Sequence, residues 1–345
     1  MIIKGEDFIV IRVRALSLFL LAAAAVVFAQ QPSQPASSGR MIRPRLLIHV
    51  VPNLEKSIEF YHGGLDLKVV APPAPLLPAG STLVQKAVAS NPAARARSAT
   101  LSIPGSNFEL LLIEFSGIEQ KPFKQHLYDP GITRFSIQVR DIDKAFDKVK
   151  DRGIEVPTTS AGPVYTQRPR NTTRAVMMND PDGFVYEFVQ SGEPPKTDVP
   201  ESSNIYNARS SLAFESMEKS IPFYRDILGF TLRSAPAFIN DAVLALEGTP
   251  RARVRSAPAM PPGSNNMWVL WEFNDIDRTK HVPNVQDPGA SALSLQVENL
   301  GGLLKAISGA GLPVESPGGE PVPLDKGHRG ALVRSPDGLL IELYE

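Results

Sequence analysis

The sequence predicts an α+β fold of four βαβββ modules that pair into two tandem domains. Three observations carry this prediction. Two long stretches repeat each other in the same order, each stretch is itself double, and the apolar period switches from two to about 3.6 at the same point in every module. Glu55-Lys56-Ser57-Ile58-Glu59-Phe60-Tyr61 returns as Glu218-Lys219-Ser220-Ile221-Pro222-Phe223-Tyr224. Asp129-Pro130-Gly131 with Ser136-Ile137-Gln138-Val139 returns as Asp287-Pro288-Gly289 with Ser294-Leu295-Gln296-Val297. Pro181-Asp182-Gly183 with Glu187 returns as Pro336-Asp337-Gly338 with Glu342. The offsets are 163, 158 and 155 residues (218 − 55, 287 − 129, 336 − 181), so the second copy has lost only a few loop residues.

Each module opens with a short β-type run, at 46–51, 134–139, 209–214 and 292–297. The run leads into Asn53, Asp141, Ser216 or Asn299, each able to accept a hydrogen bond from a free N–H in the first turn of a helix. Apolar residues then recur at i, i+4 and i+7: Leu54/Ile58/Tyr61, Ile142/Phe146/Val149, Met217/Ile221/Tyr224 and Leu300/Leu304/Ile307. That spacing is one stripe of an α-helix. Gly63 and Gly64, Gly153, Gly229, and Gly309 with Gly311 close the helices. Pro222, inside the third, is expected to kink it. Three strand-like runs follow each helix, the last at 108–115, 184–190, 267–273 and 339–344, and a Pro-Asp-Gly turn precedes the second and fourth of these. One helix covers one sheet face, so two modules must combine to bury a core. Paired consecutively, they give domains 42–191 and 203–345, joined by a Pro- and charge-rich linker at 192–202.

The composition agrees. A chain of 345 residues with 43% hydrophobic residues holds about two globular domains. Its 36 basic and 36 acidic residues cancel, which argues against nucleic acid as a partner. No sustained basic amphipathic run favours a membrane surface. There is no cysteine, so disulfides, thiolate metal sites and cysteine nucleophiles are excluded, and the 32 prolines crowd into loops and linkers. At the N-terminus, Lys4, Arg12 and Arg14 precede an apolar run at 15–28, with small residues at a cut after Ala29. This is the layout of a secretory signal peptide, and the run is shorter than the roughly 20 residues that span a bilayer. Residues 1–29 are thus expected to be removed on export to the periplasm or outside the cell, with no membrane attachment afterwards. Polar residues 30–41 form a disordered linker.

The phrases 54–61 with Leu65 and 217–224 with Leu228-Gly229-Phe230, together with the two Pro-Asp-Gly turns and the glutamate four residues beyond each, resemble the vicinal oxygen chelate superfamily over nearly the whole mature chain. This is the glyoxalase/bleomycin-resistance/extradiol-dioxygenase group. The resemblance implies curved sheets forming cups, many of which hold a divalent metal that binds two vicinal oxygens of a substrate. Its members include lyases, isomerases, ring-cleaving dioxygenases and drug-sequestering binders, so the fold leaves the function open.

The family places metal ligands on the first and last strands of each module. Here the first-strand histidine positions hold Leu46, Arg134, Arg209 and Ala292, and the last-strand positions hold Glu109, Glu187, Met267 and Glu342. A catalytic metal needs about three protein ligands and an open position, and neither domain supplies them. No cofactor is therefore expected, and a divalent metal is disfavoured. His49 is the exception to test. Strand alternation puts Leu46, Ile48 and Val50 on the cup face and Leu47, His49 and Val51 on the helix face. A bulge would turn His49 inward, where it would join Glu109 and Glu187 as metal ligands. His62, His126, His281 and His328 fall at a helix end or in loops.

Arg134, Glu187 and Glu109 are the expected site of any chemistry. Glu187 and Glu109 would serve as general bases, and Arg134 beside Glu187 would replace the metal's charge and grip a carboxylate or enolate oxygen. Ser136 and Gln138 share the parity of Arg134 and either line the pocket or face solvent. Arg168, Arg170 and Arg174 with Tyr165 could greet an anionic ligand or form an exposed loop; Trp268 and Trp271 read as core or interface. Three functions stay open: a glyoxalase-like lyase or extradiol-type dioxygenase acting on a small oxygenated molecule, a metal-free small-molecule binding protein, or a structural module with a vestigial site.

Overall fold

The computed structural model describes residues 39–131, 133–166, 173–193 and 196–345. The proposed signal peptide, its cleavage point, Arg168 and Arg170 lie outside them. The first module comprises β1 (Arg40–Val50), α1 (Leu54–Ile58) prolonged by a π-helical turn (Glu59–Gly64), β2 (Lys68–Pro75), α2 (Thr82–Ser90), β3 (Arg95–Ser102) and β4 (Glu109–Ser116). The second has β5 (Thr133–Val139), α3 (Ile142–Val149), β6 (Val164–Tyr165), β7 (Arg174–Asn179) and β8 (Val185–Gln190). The third has β9 (Ile205–Phe214), α4 (Met217–Pro222) with a π turn (Phe223–Ile227), β10 (Thr231–Leu232), β11 (Ala237–Phe238), α5 (Asp241–Leu246), β12 (Arg253–Met260) and β13 (Trp268–Asn274). The fourth has β14 (Ser291–Glu298), α6 (Leu300–Gly309), β15 (Val322–Pro323), β16 (Arg329–Arg334) and β17 (Leu340–Tyr344). The βαβββ order thus holds four times, the second strand of module three being broken into β10 and β11, which both pair with β12. Modules one and three each add a short helix, α2 and α5, that the sequence reading had not separated from the strands.

Each sheet takes its modules from both tandem copies. One sheet runs β15-β16-β17-β14-β1-β4-β3-β2, joining module one to module four. The other runs β10-β12-β13-β9-β5-β8-β7-β6, joining modules two and three. The expectation that consecutive modules share a sheet is corrected: β1 lies antiparallel to β14 and β5 to β9. Within a copy, the link is made by the helix. Ser57 and Tyr61, from α1 and its π turn, donate to Asp182 and Asp180 of module two at 2.7 and 2.6 Å. In the second copy Ser220 of α4 donates to Asp337 of module four at 2.9 Å. The helix-bearing faces of both sheets feed one continuous apolar core, from Leu47 and Leu112 to Phe188 and Trp268, so the four modules bury their surface jointly.

Local chemistry explains the helix starts. Asn53, Asp141 and Asn299 cap as expected, accepting from the N–H of Lys56, Lys144 and Gly302. Ser216 does not; its hydroxyl turns to Glu218. A second device recurs four times. The N–H of the first helical residue donates to a side chain at the end of its own module's last strand: Leu54 to Glu114, Ile142 to Gln190, Met217 to Glu272 and Leu300 to Glu345. Each helix thereby satisfies an amide that has no partner inside the helix. Pro222 is the last α-helical residue before the π turn. Module one makes the same α-to-π change without a proline, so Pro222 accommodates the change and does not cause it.

Candidate functional site

On the face opposite the shared core each sheet forms a cup. In the sheet of modules one and four, one row across the strands reads Glu342, Ser294, Leu46, Glu109. In the other, the matching row reads Glu187, Ser136, Arg209. Strand register therefore puts Glu109 in a different cup from Arg134 and Glu187, and the expected trio does not assemble. The crossed pairing of modules is the reason.

The first cup is filled. Leu83, Val84 and Ala87 of α2 pack on Leu46, Ile48, Val50, Ile113, Ala292 and Leu340. Glu342, 3% exposed, is committed to this helix. Its Oε1 accepts the Thr82 N–H at 2.9 Å and the hydroxyls of Thr82 and Ser81 at 2.9 and 3.2 Å; its Oε2 accepts from Ser294 at 2.9 Å. A carboxylate at the first turn of a helix satisfies free amides and meets the positive end of the helix dipole. The Arg45 guanidinium stands 3.8 Å from it. With both oxygens occupied and Leu46 and Ala292 as neighbours, this donor set does not fit a metal ion.

The second cup is filled over part of its floor. Leu246 of α5 packs on Ala175, Met177, Ala213 and Phe273. The next residue, Glu247, meets Arg134 in a buried ion pair at 2.8 Å, with 3% and 1% of the two side chains exposed. Arg134 also donates from Nε and Nη2 to the Leu127 carbonyl at 3.1 and 2.8 Å. Its guanidinium lies 5.1 Å from the ring centroids of both Trp271 and Phe273. Burial pushes the Glu247 carboxyl up to about 7, although Arg134 pulls the other way, and nearby Glu187 adds to the rise. Arg134 is therefore paired with Glu247, and the expected Arg134–Glu187 pair is corrected. Glu187 accepts from Ser136, and Arg209 donates to the same hydroxyl at 3.4 Å. Glu187, Arg209 and Gln138 keep partial access to solvent, as does Met267. Two arginines in this cup make it as poor a home for a cation as the first.

His49 faces the helix side, as alternation dictates, and no bulge turns it: the register from Leu46 to His49 is regular. It cannot join Glu109 and Glu187. Its ring stacks on Phe184 at 4.5 Å, far from either cup face. Trp268 is buried in the shared core, and Trp271 packs under Arg134. Arg174 pairs with Asp143 and lies over Tyr165, a surface arrangement. The sequence reading missed Glu247 and both plug helices. Their signal was present in Leu83, Val84 and Ala87 and in Val243 and Leu246, which sit at helical spacing between the first helix and the last strand of their modules.

Residues 46–188 and 209–343 each match the Glyoxalase/Bleomycin resistance protein/Dioxygenase superfamily, and the chain belongs to it, as two tandem domains of that type. Among solved structures it is similar to a point mutant of glyoxalase I from Zea mays, at 19% identity with a TM-score of 0.59, covering 89% of this chain and 92% of that one. Glyoxalase I from Zea mays itself aligns at 17% identity and a TM-score of 0.57, over 89% and 92%. A putative dioxygenase from Bacillus subtilis aligns at 13% and 0.53, over 88% and 85%. At these identities the likeness is one of fold. No curated protein matches the sequence.

Proposed function

We propose that this chain is a metal-independent binding protein, in which the cup of modules two and three takes a small oxygenated molecule bearing a carboxylate. The observation that carries the reading is the fate of the family's ligand positions. Glu342 caps a helix that fills one cup, and Arg134 is locked to Glu247 in the other. What remains for a ligand is the partly exposed pair Glu187 and Arg209, bridged by the buried hydroxyl of Ser136, beside Gln138. Among the described residues, Arg209 has a hydrogen bond to Ser136 and no ion pair. A guanidinium so placed can hold a carboxylate through two parallel N–H···O bonds. The lyase and dioxygenase readings need a cup metal, or Glu109 and Glu187 together as general bases; neither donor set favours the metal, and the two glutamates stand in different sheets.

The test is a panel of small carboxylates and 2-oxo acids, screened by thermal shift on the full chain in excess chelator. A ligand should raise the melting temperature equally with and without chelator, and Arg209→Ala should abolish the shift while leaving the apo melting temperature close to that of the wild type. Turnover of a 2-oxoaldehyde–thiol adduct or a catechol that depends on added metal would sink the proposal. No binding by any member of the panel would favour a purely structural role.

A further inference from the structure

We propose a second, separate site: a divalent-cation site of the zinc type formed by His49, Asp180 and Asp182 on the helix side of the first module, outside both cups. One ligand atom from each lies within 4.8 Å of the others. His49 is fully buried and Asp180 is 3% exposed, while Asp182 is half-buried. The Nε2 of His49 stands 3.4 Å from Asp180 Oδ2, but off the hydrogen-bond axis, so neither ring nitrogen has a hydrogen-bond partner among the described residues. A buried polar group left so has given up its water without a partner in exchange, and a metal ion would satisfy it.

The surroundings are built for ligation. Tyr61 donates to Asp180 Oδ2 at 2.6 Å, and the amides of Asp182 and Phe184 hold Asp180 Oδ1 at 2.9 and 2.8 Å. Ser57 holds Asp182 Oδ2 at 2.7 Å. Such outer partners fix the orientation of ligating carboxylates. Phe184 fixes the imidazole plane by stacking. A cleft of about 310 Å³, lined by Asp180, Asp182 and Ser57 together with Lys56 and Arg152, gives an ion and its waters a way in. One nitrogen and two carboxylates suit zinc better than calcium or magnesium, which prefer all-oxygen shells. Ligation would draw the three donor atoms, now within 4.8 Å of one another, to about 2.0–2.2 Å from one ion.

The second copy supplies an internal control. It keeps the serine–aspartate tie (Ser220 to Asp337) and the tyrosine (Tyr224), but Leu212 and Ser335 stand where the first copy has His49 and Asp180. The helix-to-turn junction therefore folds without the imidazole and the inner carboxylate, so packing alone does not require them.

The experiment is a zinc titration by calorimetry of the full chain after chelator treatment, paired with thermal unfolding. Wild type should bind one equivalent that His49→Leu and Asp180→Ser, the second copy's own residues, do not bind, and zinc should raise the melting temperature of wild type alone. Tyr61→Phe should weaken binding about 10–100-fold. If wild type binds no zinc, or both variants bind it unchanged, the proposal is overturned. Unchanged binding would point to Asp129, whose Oδ2 lies 3.4 Å from His126 Nδ1 and 3.3 Å from His281 Nε2. Neither outcome bears on ligand binding at Arg209.

Discussion

Arg134 and Glu247 are each almost wholly removed from water, and a charge left there alone has no solvent to turn to. Arg134→Ala should therefore destabilise the chain by about 3–5 kcal/mol at pH 8, measured by urea unfolding. The cost should be smaller at pH 5. The folded-state carboxyl of Glu247 sits at about 7, above its ordinary 4.5. A raised carboxyl contributes stability that is fully present below the ordinary value and is lost as pH climbs through the folded one. Removing Arg134 removes a downward pull, so the loss deepens above pH 7. A deficit that does not change between pH 5 and pH 8 would show that the pair is not what the substitution breaks. Asp337 follows the same sign. Burial raises it from 3.8 to about 6, so Asp337→Asn should flatten the fall in stability between about pH 4 and pH 6.

The position of His49 shows how much a single residue's surroundings can be read locally. Strand alternation placed it on the helix face, and the structure agrees because the side-chain period of a strand is a property of the backbone. What lies opposite that face was not legible. Asp180 and Asp182 are more than 130 residues away in sequence, and only the packing of α1 against the module-two turn brings them to it.

At the scale of elements, α2 decides whether the first cup is open. Leu83, on its cup-facing side, is fully buried, and Leu83→Ala should cost about 2–5 kcal/mol. Glu342→Ala should cost about 1–3 kcal/mol by stranding the Thr82 amide and its neighbours. It should also speed hydrogen exchange across residues 82–90 more than across 142–149. Equal acceleration of both segments would mean that Glu342 supports the sheet and not the helix. The helix starts show the limit of capping rules. Asn53, Asp141 and Asn299 obey them, whereas Ser216 bonds to Glu218 while Glu272 reaches the Met217 amide. A cap is a local possibility that a better-placed acceptor can replace.

At the scale of the whole molecule, the crossed sheets predict that the tandem copies are not independent. A fragment of residues 42–191 would leave β1 without β14 and β5 without β9, exposing two long unpaired strand edges. It should be unfolded or self-associated by light scattering; a folded monomer with native-like circular dichroism would contradict the shared core. The chain's other end carries a simpler expectation. If residues 1–29 are a signal peptide, sequencing the exported protein should begin at Gln30, and a cytosolic product keeping residues 1–29 would rule this out.

The sequence by itself determined the four modules, their order, the faces of their strands, most of their helix caps and the family to which they belong. All of these rest on interactions spanning a few residues, or on the repetition of such patterns. Tertiary structure decided which modules share a sheet, hence which of Glu109, Arg134, Glu187 and Glu342 meet, and that α2 and α5 fill the cups. The first strands of the modules are similar in pattern, so the same local sequence satisfies either pairing. The choice between them is made by contacts across more than a hundred residues, where burying both helix-bearing faces in one core outweighs anything a short segment can express.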